Sequence, residues 1–175
     1  MPNRAAIQDA HEIAVLRAAL TEHNRLHGLT LELLSRPDPP DAILSDGKTT
    51  TWLELTDAFF SPEWARDLSS YAASEKHIPM RSGPYMDMDA LLAAKVCELI
   101  CRKAAKSSYK PFISKYGPGI LVVGLESPWL DDETLCEITR KWAGLGNPNI
   151  SGTFSQVYLG YRDREGNKVM AWPHT

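Results

Sequence analysis

The sequence contains few cysteines and no long hydrophobic run. Its 175 residues include three cysteines, an odd number, and the segment MPNRAAIQDAHE at its start carries charges and lacks the apolar region of an export signal. We therefore expect free thiols rather than disulfides. No later run is long enough to cross a bilayer. These absences predict a cytoplasmic protein that does not interact with a membrane.

A strong excess of charge of either sign is also absent. The formal net charge is −3, which argues against a protein that coats nucleic acid electrostatically but leaves a local basic face open. With 43% hydrophobic and 23% charged residues, the composition is that of a globular protein. The length suits one domain, and no repeat, low-complexity tract or linker interrupts the chain. We predict a single domain over residues 1–175.

Residues 37–57, PDPPDAILSDGKTTTWLELTD, predict a β-hairpin with an acidic residue on each strand. Two strand-forming runs flank the turn sequence SDGK, in which Asp-Gly tolerates the positive φ of a tight hairpin. Asp41 opens the first run and Glu54 lies in the second, so the hairpin brings their carboxylates side by side. An unpaired buried charge costs several kcal/mol, whereas a divalent cation satisfies both carboxylates. The hairpin is therefore a candidate metal site.

The whole chain is predicted to contain, in order, a helix, three strands, two helices, a strand, a helix and two strands. The patterns predict helices over 6–24, 62–75, 88–107 and 131–142, and strands over 29–34, 41–44, 49–58, 119–125, 154–161 and 168–172. Period two places Trp52, Glu54 and Thr56 on one face of their strand and Leu53 and Leu55 on the other. Both faces carry apolar bulk, so we expect helices on both sides. The order predicts a three-layer α/β/α sandwich with a central mixed β-sheet.

Lys103 interrupts the apolar face of the helix predicted over 88–107. That face consists of Leu92, Val96, Leu99 and Ile100. Lys106 continues the same edge one turn later. Two arrangements account for these lysines: either the helix has left the core and their long side chains reach solvent, or Lys103 points at the acidic hairpin. Glu12, at the margin of the apolar stripe of the first helix, is either a solvated flank or a further member of the site.

The motifs of the hairpin resemble those of the PD-(D/E)XK nuclease superfamily. Pro40-Asp41 is similar to its PD, and Glu54-Leu55-Thr56 is similar to its E-x-K with the last position changed. The resemblance extends from the helix that contains Glu12 to the buried strand at 119–125. More narrowly, the chain resembles bacterial variants in which a PDF-like strand is followed by a strand ending in E-V-T. The resemblance implies a restriction-endonuclease-like core.

The resemblance also implies a metal site. In that superfamily the aspartate and the glutamate bind Mg²⁺ or Mn²⁺, the glutamate of the first helix assists, and the lysine positions or activates the attacking water. The implied ligands are Asp41, Glu54, the carbonyl oxygen of Leu55 and, as a third carboxylate, Glu12. These oxygens suit a hard cation, which lowers the pKa of bound water and neutralises phosphate charge.

Thr56 departs from the superfamily pattern because it cannot supply the cation of the motif lysine. Its hydroxyl can hydrogen-bond a water or a phosphate oxygen. Some members of the superfamily carry the lysine on the following helix instead, where Lys103 is the first candidate and Lys106 the second. The basic run formed by Arg102, Lys103, Lys106, Lys110 and Lys115 either follows a phosphate backbone or is a solvated charged face.

Two functions from different classes follow. The first is a divalent-metal-dependent nuclease that hydrolyses phosphodiester bonds of DNA. The second is a catalytically inactive nuclease-fold domain that serves as a nucleic-acid-binding or protein-interaction module, which the loss of the motif lysine favours. A third interpretation is an unrelated α/β domain with acidic surface residues. The sequence leaves open whether the chain forms a homodimer or binds a protein partner.

Overall fold

The computed structural model describes residues 4–72, 77–81 and 86–173. Its helices are α1 (Arg4–His27), α2 (Pro62–Ala72), α3 (Met88–Ala104), α4 (Lys110–Tyr116) and α5 (Asp132–Gly144), with a 3-10 turn at Ser107–Tyr109. Its strands are β1 (Glu32–Ser35), β2 (Ala42–Ser45), β3 (Thr50–Phe59), β4 (Gly119–Glu126), β5 (Phe154–Asp163) and β6 (Gly166–Trp172). The predicted order of helices and strands is confirmed, except for the segment between α3 and β4. The end predicted for the second helix, at residue 75, lies outside the described residues.

The six strands form one mixed sheet in the order β1-β2-β3-β4-β5-β6. The β3–β4 and β4–β5 pairs are parallel, and the other three pairs are antiparallel. Strand twist accumulates across a sheet of this size, and here the sheet is curled into a half-barrel. A mixed sheet with helices was predicted, and this is confirmed; the curl was not predicted.

The predicted hairpin is the β2–β3 pair. Ala42 lies opposite Leu53, and Ser45 lies opposite Thr50. In the turn, Gly47 has a φ of +83°, and the Asp46 carboxylate accepts hydrogen bonds from the backbone of residues 48 and 49 at 2.9 and 2.6 Å. Because residues 42 and 53 are paired, the hairpin brings residue 41 beside residue 54.

Helices cover both faces of the sheet through two hydrophobic clusters. On the α1 face, Val15, Leu16 and Ala19 pack with Leu53 of β3. On the opposite face, which we call the α3 face, residues of α3 and α5 pack with Trp52 of β3. The alternation predicted for β3 is therefore confirmed, and β3 is buried from both sides. The three cysteines are free, as expected.

The segment after α3 differs from the prediction. We predicted that the helix continues to residue 107, but it ends at Ala104, and Lys106 has extended backbone angles of −68° and 121°. The 3-10 turn and α4 follow, and neither was predicted. The sequence did contain a signal for α4, since Pro111 lies in its first turn and Gly117 directly follows its last residue.

Candidate functional site

The hairpin carboxylates lie directly before β2, at Asp41, and in the middle of β3, at Glu54. Glu54 is a buried charged residue, with only 4% of its surface exposed, and Asp41 is half-buried. The Asp41 carboxylate accepts a hydrogen bond from the backbone N–H of Leu55 at 2.6 Å. This bond holds the aspartate against β3. The two acidic residues that the sequence predicted to be adjacent are therefore fixed on neighbouring strands.

Lys103 points into the hairpin. Its Nζ lies 2.5 Å from Glu54 Oε1 and donates a further hydrogen bond to the carbonyl oxygen of Leu55 at 3.3 Å. Only 14% of the Lys103 side chain is exposed. Of the two arrangements predicted for this lysine, the structure has the one in which it faces the acidic residues. Lys103 thus places an ammonium group beside both Glu54 and the backbone of the E-L-T motif.

Two buried oxygen atoms near this ion pair are left unpaired. Glu54 Oε2 and Tyr109 Oη make no hydrogen bond of normal geometry with the described residues. Burial and the neighbouring Glu54 carboxylate raise the pKa of Tyr109. The Glu54 carboxylate therefore lies between the Lys103 ammonium and the Tyr109 hydroxyl.

The pKa of Asp41 reflects its burial first and the neighbouring acidic groups second. Burial, partly opposed by the hydrogen bond from Leu55, raises the pKa of Asp41 to about 6. Glu54 and Glu12 raise it as well, whereas Lys103 lowers it. A bound cation stabilises the ionised form of such a carboxylate, because an opposite charge within a few ångströms offsets both burial and like-charge repulsion.

The other predicted site residues are differently placed. Glu12 lines the same cavity as Asp41, but Gln8 donates to its Oε1 at 3.0 Å and Arg36 donates to its Oε2 at 2.9 Å. As a third metal ligand, Glu12 must therefore exchange one of these partners. Thr56 also lines the cavity. Lys106 is exposed, with its Nζ 5.4 Å from the ring centroid of Tyr109.

The cavity has a volume of about 160 Å³ and opens on the α1 face. Its lining residues are Gln8, His11, Glu12, Val15, Asp41, Leu55, Thr56, Asp57, Val122 and Gly124. Glu54 and Lys103 do not line it. The cavity therefore adjoins the hairpin from the face opposite the ion pair, and Asp41 is the hairpin carboxylate that reaches it.

A second group of polar residues, two of which line this cavity, was not predicted. His11 Nε2 lies 3.5 Å from Asp57 Oδ2 and 3.8 Å from Glu126 Oε1. The Asp57 carboxylate raises the pKa of His11, and burial, followed by the Asp57 charge, raises that of Glu126. Residues 57 and 126 lie near the carboxyl ends of two strands that the structure shows to be adjacent and parallel, where ligands bind in open α/β sheets.

Comparisons with other proteins give no family for the chain. No protein-family model matches it, and no curated protein or solved structure matches it either. Within the described residues, no helix has the length and apolar character needed to cross a bilayer.

Proposed function

We propose that the protein is a divalent-metal-dependent phosphodiesterase that acts on DNA. Asp41, Glu54 and the carbonyl oxygen of Leu55 would hold Mg²⁺ or Mn²⁺. The observation that carries the proposal is the position of Lys103, whose Nζ lies 2.5 Å from Glu54 and 3.3 Å from the Leu55 carbonyl oxygen. A lysine thus stands beside the E-L-T motif, in which Thr56 occupies the position of a motif lysine.

The residues present fit a hard cation. Glu54 has an unpaired buried oxygen, Asp41 has a raised pKa, and carboxylate and carbonyl oxygens are the ligands that Mg²⁺ prefers. The chemistry that such an ion supplies when bound is activation of a water and neutralisation of phosphate charge. In this proposal the Lys103 ammonium orients the attacking water, and the Thr56 hydroxyl donates to a phosphate oxygen.

Two further features support the proposal. Helix α1 on one face of the sheet and α3 and α5 on the other are consistent with the outer layers of a three-layer, restriction-endonuclease-like sandwich. Beyond Lys103, exposed cations follow along the chain at Lys106, Lys110 and Lys115. Cations in such a series would contact successive phosphates of a nucleic-acid backbone.

A catalytically inactive binding module is the second candidate. It is favoured by two ion pairs, Glu54 with Lys103 and Glu12 with Arg36, because both carboxylates already have a cationic partner. In that case Lys103 neutralises Glu54 permanently, and no metal is required. The two candidates therefore differ in whether the hairpin binds a cation.

Calorimetric titration with Mg²⁺ and Mn²⁺, followed by cleavage of plasmid and single-stranded DNA, tests the proposal. We expect the wild type to bind metal and to cleave DNA. We expect Asp41→Asn and Glu54→Gln to lose both metal binding and cleavage. Lys103→Met should retain metal binding and lose about 10²-fold or more in cleavage rate, because the attacking water is no longer held in position.

The matched control is Lys95→Met. Lys95 lies on the same helix and pairs with Glu98 at the surface, at 2.9 Å. This variant should cleave like the wild type. Mg²⁺ binding that survives both carboxylate substitutions, or cleavage that Lys103→Met leaves undiminished, would remove the proposed site. DNA binding without metal binding would instead support the inactive module.

A further inference from the structure

The group formed by His11, Asp57 and Glu126 has the donor set of a transition-metal site. His11 belongs to α1, Asp57 to β3 and Glu126 to the end of β4. One ligand atom from each residue can be chosen so that all three atoms lie within 4.8 Å of one another. One imidazole and two carboxylates form a mixed nitrogen and oxygen set, which suits Zn²⁺ and its neighbours in the first transition row better than it suits Mg²⁺.

The distances from His11 Nε2 to the two carboxylates are closer to those between two ligands of one metal ion than to the length of a hydrogen bond. His11 Nε2 lies 3.5 Å from Asp57 and 3.8 Å from Glu126. Both distances exceed the usual N–H···O range of about 2.7 to 3.2 Å. Two ligand atoms that each lie about 2.1 Å from a tetrahedral ion are about 3.4 Å apart. The imidazole therefore stands at ligand spacing from both carboxylates, and an ion between them requires only small side-chain movements.

A glycine on the neighbouring strand leaves space for the Asp57 carboxylate. Asp57 pairs with Gly124 across the parallel β3–β4 ladder. A Cβ atom at position 124 would lie 2.3 Å from Asp57 Oδ1, so a larger residue would displace this carboxylate. Gly124 also lines the cavity of about 160 Å³, as do His11 and Asp57. The group is thus reached from a cavity that has room for the ion and for water.

We propose that His11, Asp57 and Glu126 form a binding site for a first-row transition-metal dication such as Zn²⁺, which ties α1 to the carboxyl ends of β3 and β4. The site uses none of the proposed hairpin ligands Asp41, Glu54 and Leu55, although His11 and Asp57 share a cavity with Asp41, and it does not rest on the proposed nuclease function. The alternative is a metal-free charge cluster, in which a protonated His11 neutralises part of the charge of the two carboxylates and exposed Arg162 contributes at longer range.

Titration of the untagged protein with Zn²⁺, read by calorimetry and by the thermal unfolding midpoint, tests the proposal. We expect saturable Zn²⁺ binding that depends on His11 and a rise in the midpoint, because a ligand that binds the folded state stabilises it. His11→Asn should weaken Zn²⁺ binding by at least about tenfold, since loss even of a group that only supports a metal ligand costs that much. Glu126→Gln should do the same. His11 is half-exposed, so its substitution should leave the fold intact.

Two controls separate this site from other metal-binding groups. His27 lies on the same helix, and its ring centroid is 4.4 Å from that of His23, so this pair is the competing imidazole site. His27→Asn should bind Zn²⁺ like the wild type. Zn²⁺ binding that His11→Asn leaves unchanged would overturn the proposal. A loss caused instead by His27→Asn or Asp41→Asn would assign the ion to the histidine pair or to the hairpin.

Discussion

Glu54 and Lys103 form an ion pair that solvent barely reaches, with 5% and 14% of their side chains exposed. Removal of both charges from water is expensive, so such a pair adds little net stability relative to apolar residues of the same shape. Removal of one partner is costly, however, because it leaves the other charge buried and unpaired. The pair therefore restricts which single substitutions the hairpin tolerates, whatever its chemistry.

Lys103→Met tests this restriction. We expect it to lower the free energy of unfolding by about 3 to 5 kcal/mol at neutral pH, because Glu54 is left without its partner. Adding Glu54→Gln should recover part of that loss. Urea unfolding of both variants measures the difference. Lys95→Met breaks the exposed pair with Glu98 and should cost no more than about 1 kcal/mol. Equal losses for the two lysine variants would contradict the buried ion pair.

Residues of the candidate site differed in how far the sequence predicted them. Asp41 and Glu54 are adjacent because of a local hairpin, whose turn residues are visible in the sequence. Helical periodicity put Lys103 on the apolar face of its helix but left open whether its side chain reached solvent or the hairpin, and the structure places it at Glu54. His11, Asp57 and Glu126 come together only through the parallel register of β3 and β4 and the position of α1. No local pattern encodes that register, so this group was missed.

At the scale of the elements, β3 and β4 meet closely at Gly119. Trp52 of β3 is fully buried, and its Nε1 donates to the carbonyl oxygen of Gly117 at 2.9 Å. Its ring is flanked by Tyr109 and Phe154, at centroid distances of 5.0 and 5.4 Å. A Cβ atom on Gly119 would lie 2.4 Å from two atoms of this ring. The indole thus occupies the space that a side chain on β4 would need.

Gly119→Ala should therefore be strongly destabilising. We expect a loss of about 3 kcal/mol in the free energy of unfolding, at the upper end of the usual cost of overpacking, because the hydrogen-bonded indole cannot move aside. Gly160→Ala on β5 is the matched control, since the nearest atom to its added Cβ is 3.7 Å away. That change should cost less than about 1 kcal/mol. Chemical denaturation followed by tryptophan fluorescence compares the two, and similar midpoints would refute the close contact.

Elements with strong periodicity or clear turn chemistry were predicted, and those between them were not. The buried run of β4 and the β2–β3 hairpin have unambiguous patterns. The residues between α3 and β4 form a 3-10 turn and the short helix α4. The basic residues of this segment interrupt its apolar residues, so no helical periodicity is visible in the sequence. The sequence interpretation considered only the charges of this segment. In the structure, Phe112 and Ile113 of α4 pack against the α3-face cluster.

At the scale of the whole molecule, one sheet carries both hydrophobic clusters. β3 contributes Trp52 to the α3 face and Leu53 to the α1 face, and β4 contributes Leu121 and Val122 in the same way. Neither cluster has a sheet of its own. Loss of β3 or β4 therefore removes one wall of both, so the two faces should unfold together as one domain.

Equilibrium unfolding in urea tests this coupling. Trp52 and Trp142 belong to the α3-face cluster, so tryptophan fluorescence reports that face. Far-UV circular dichroism includes the long helix α1 on the other face. We expect a single transition with coincident midpoints for both signals, as for a two-state domain. An earlier loss of helical signal than of fluorescence would contradict it and would indicate that α1 detaches alone.

The order of the strands determines when each surface is made during synthesis. Helix α1 precedes every strand in the chain, and its cluster is completed by Tyr158 of β5 together with Val169 and Ala171 of β6. Among the described elements, α1 therefore leaves the ribosome first, but its apolar face is fully covered only after β6, the last element, has emerged. Until β6 emerges, part of the apolar face of α1 lacks its native cover and is accessible to chaperones.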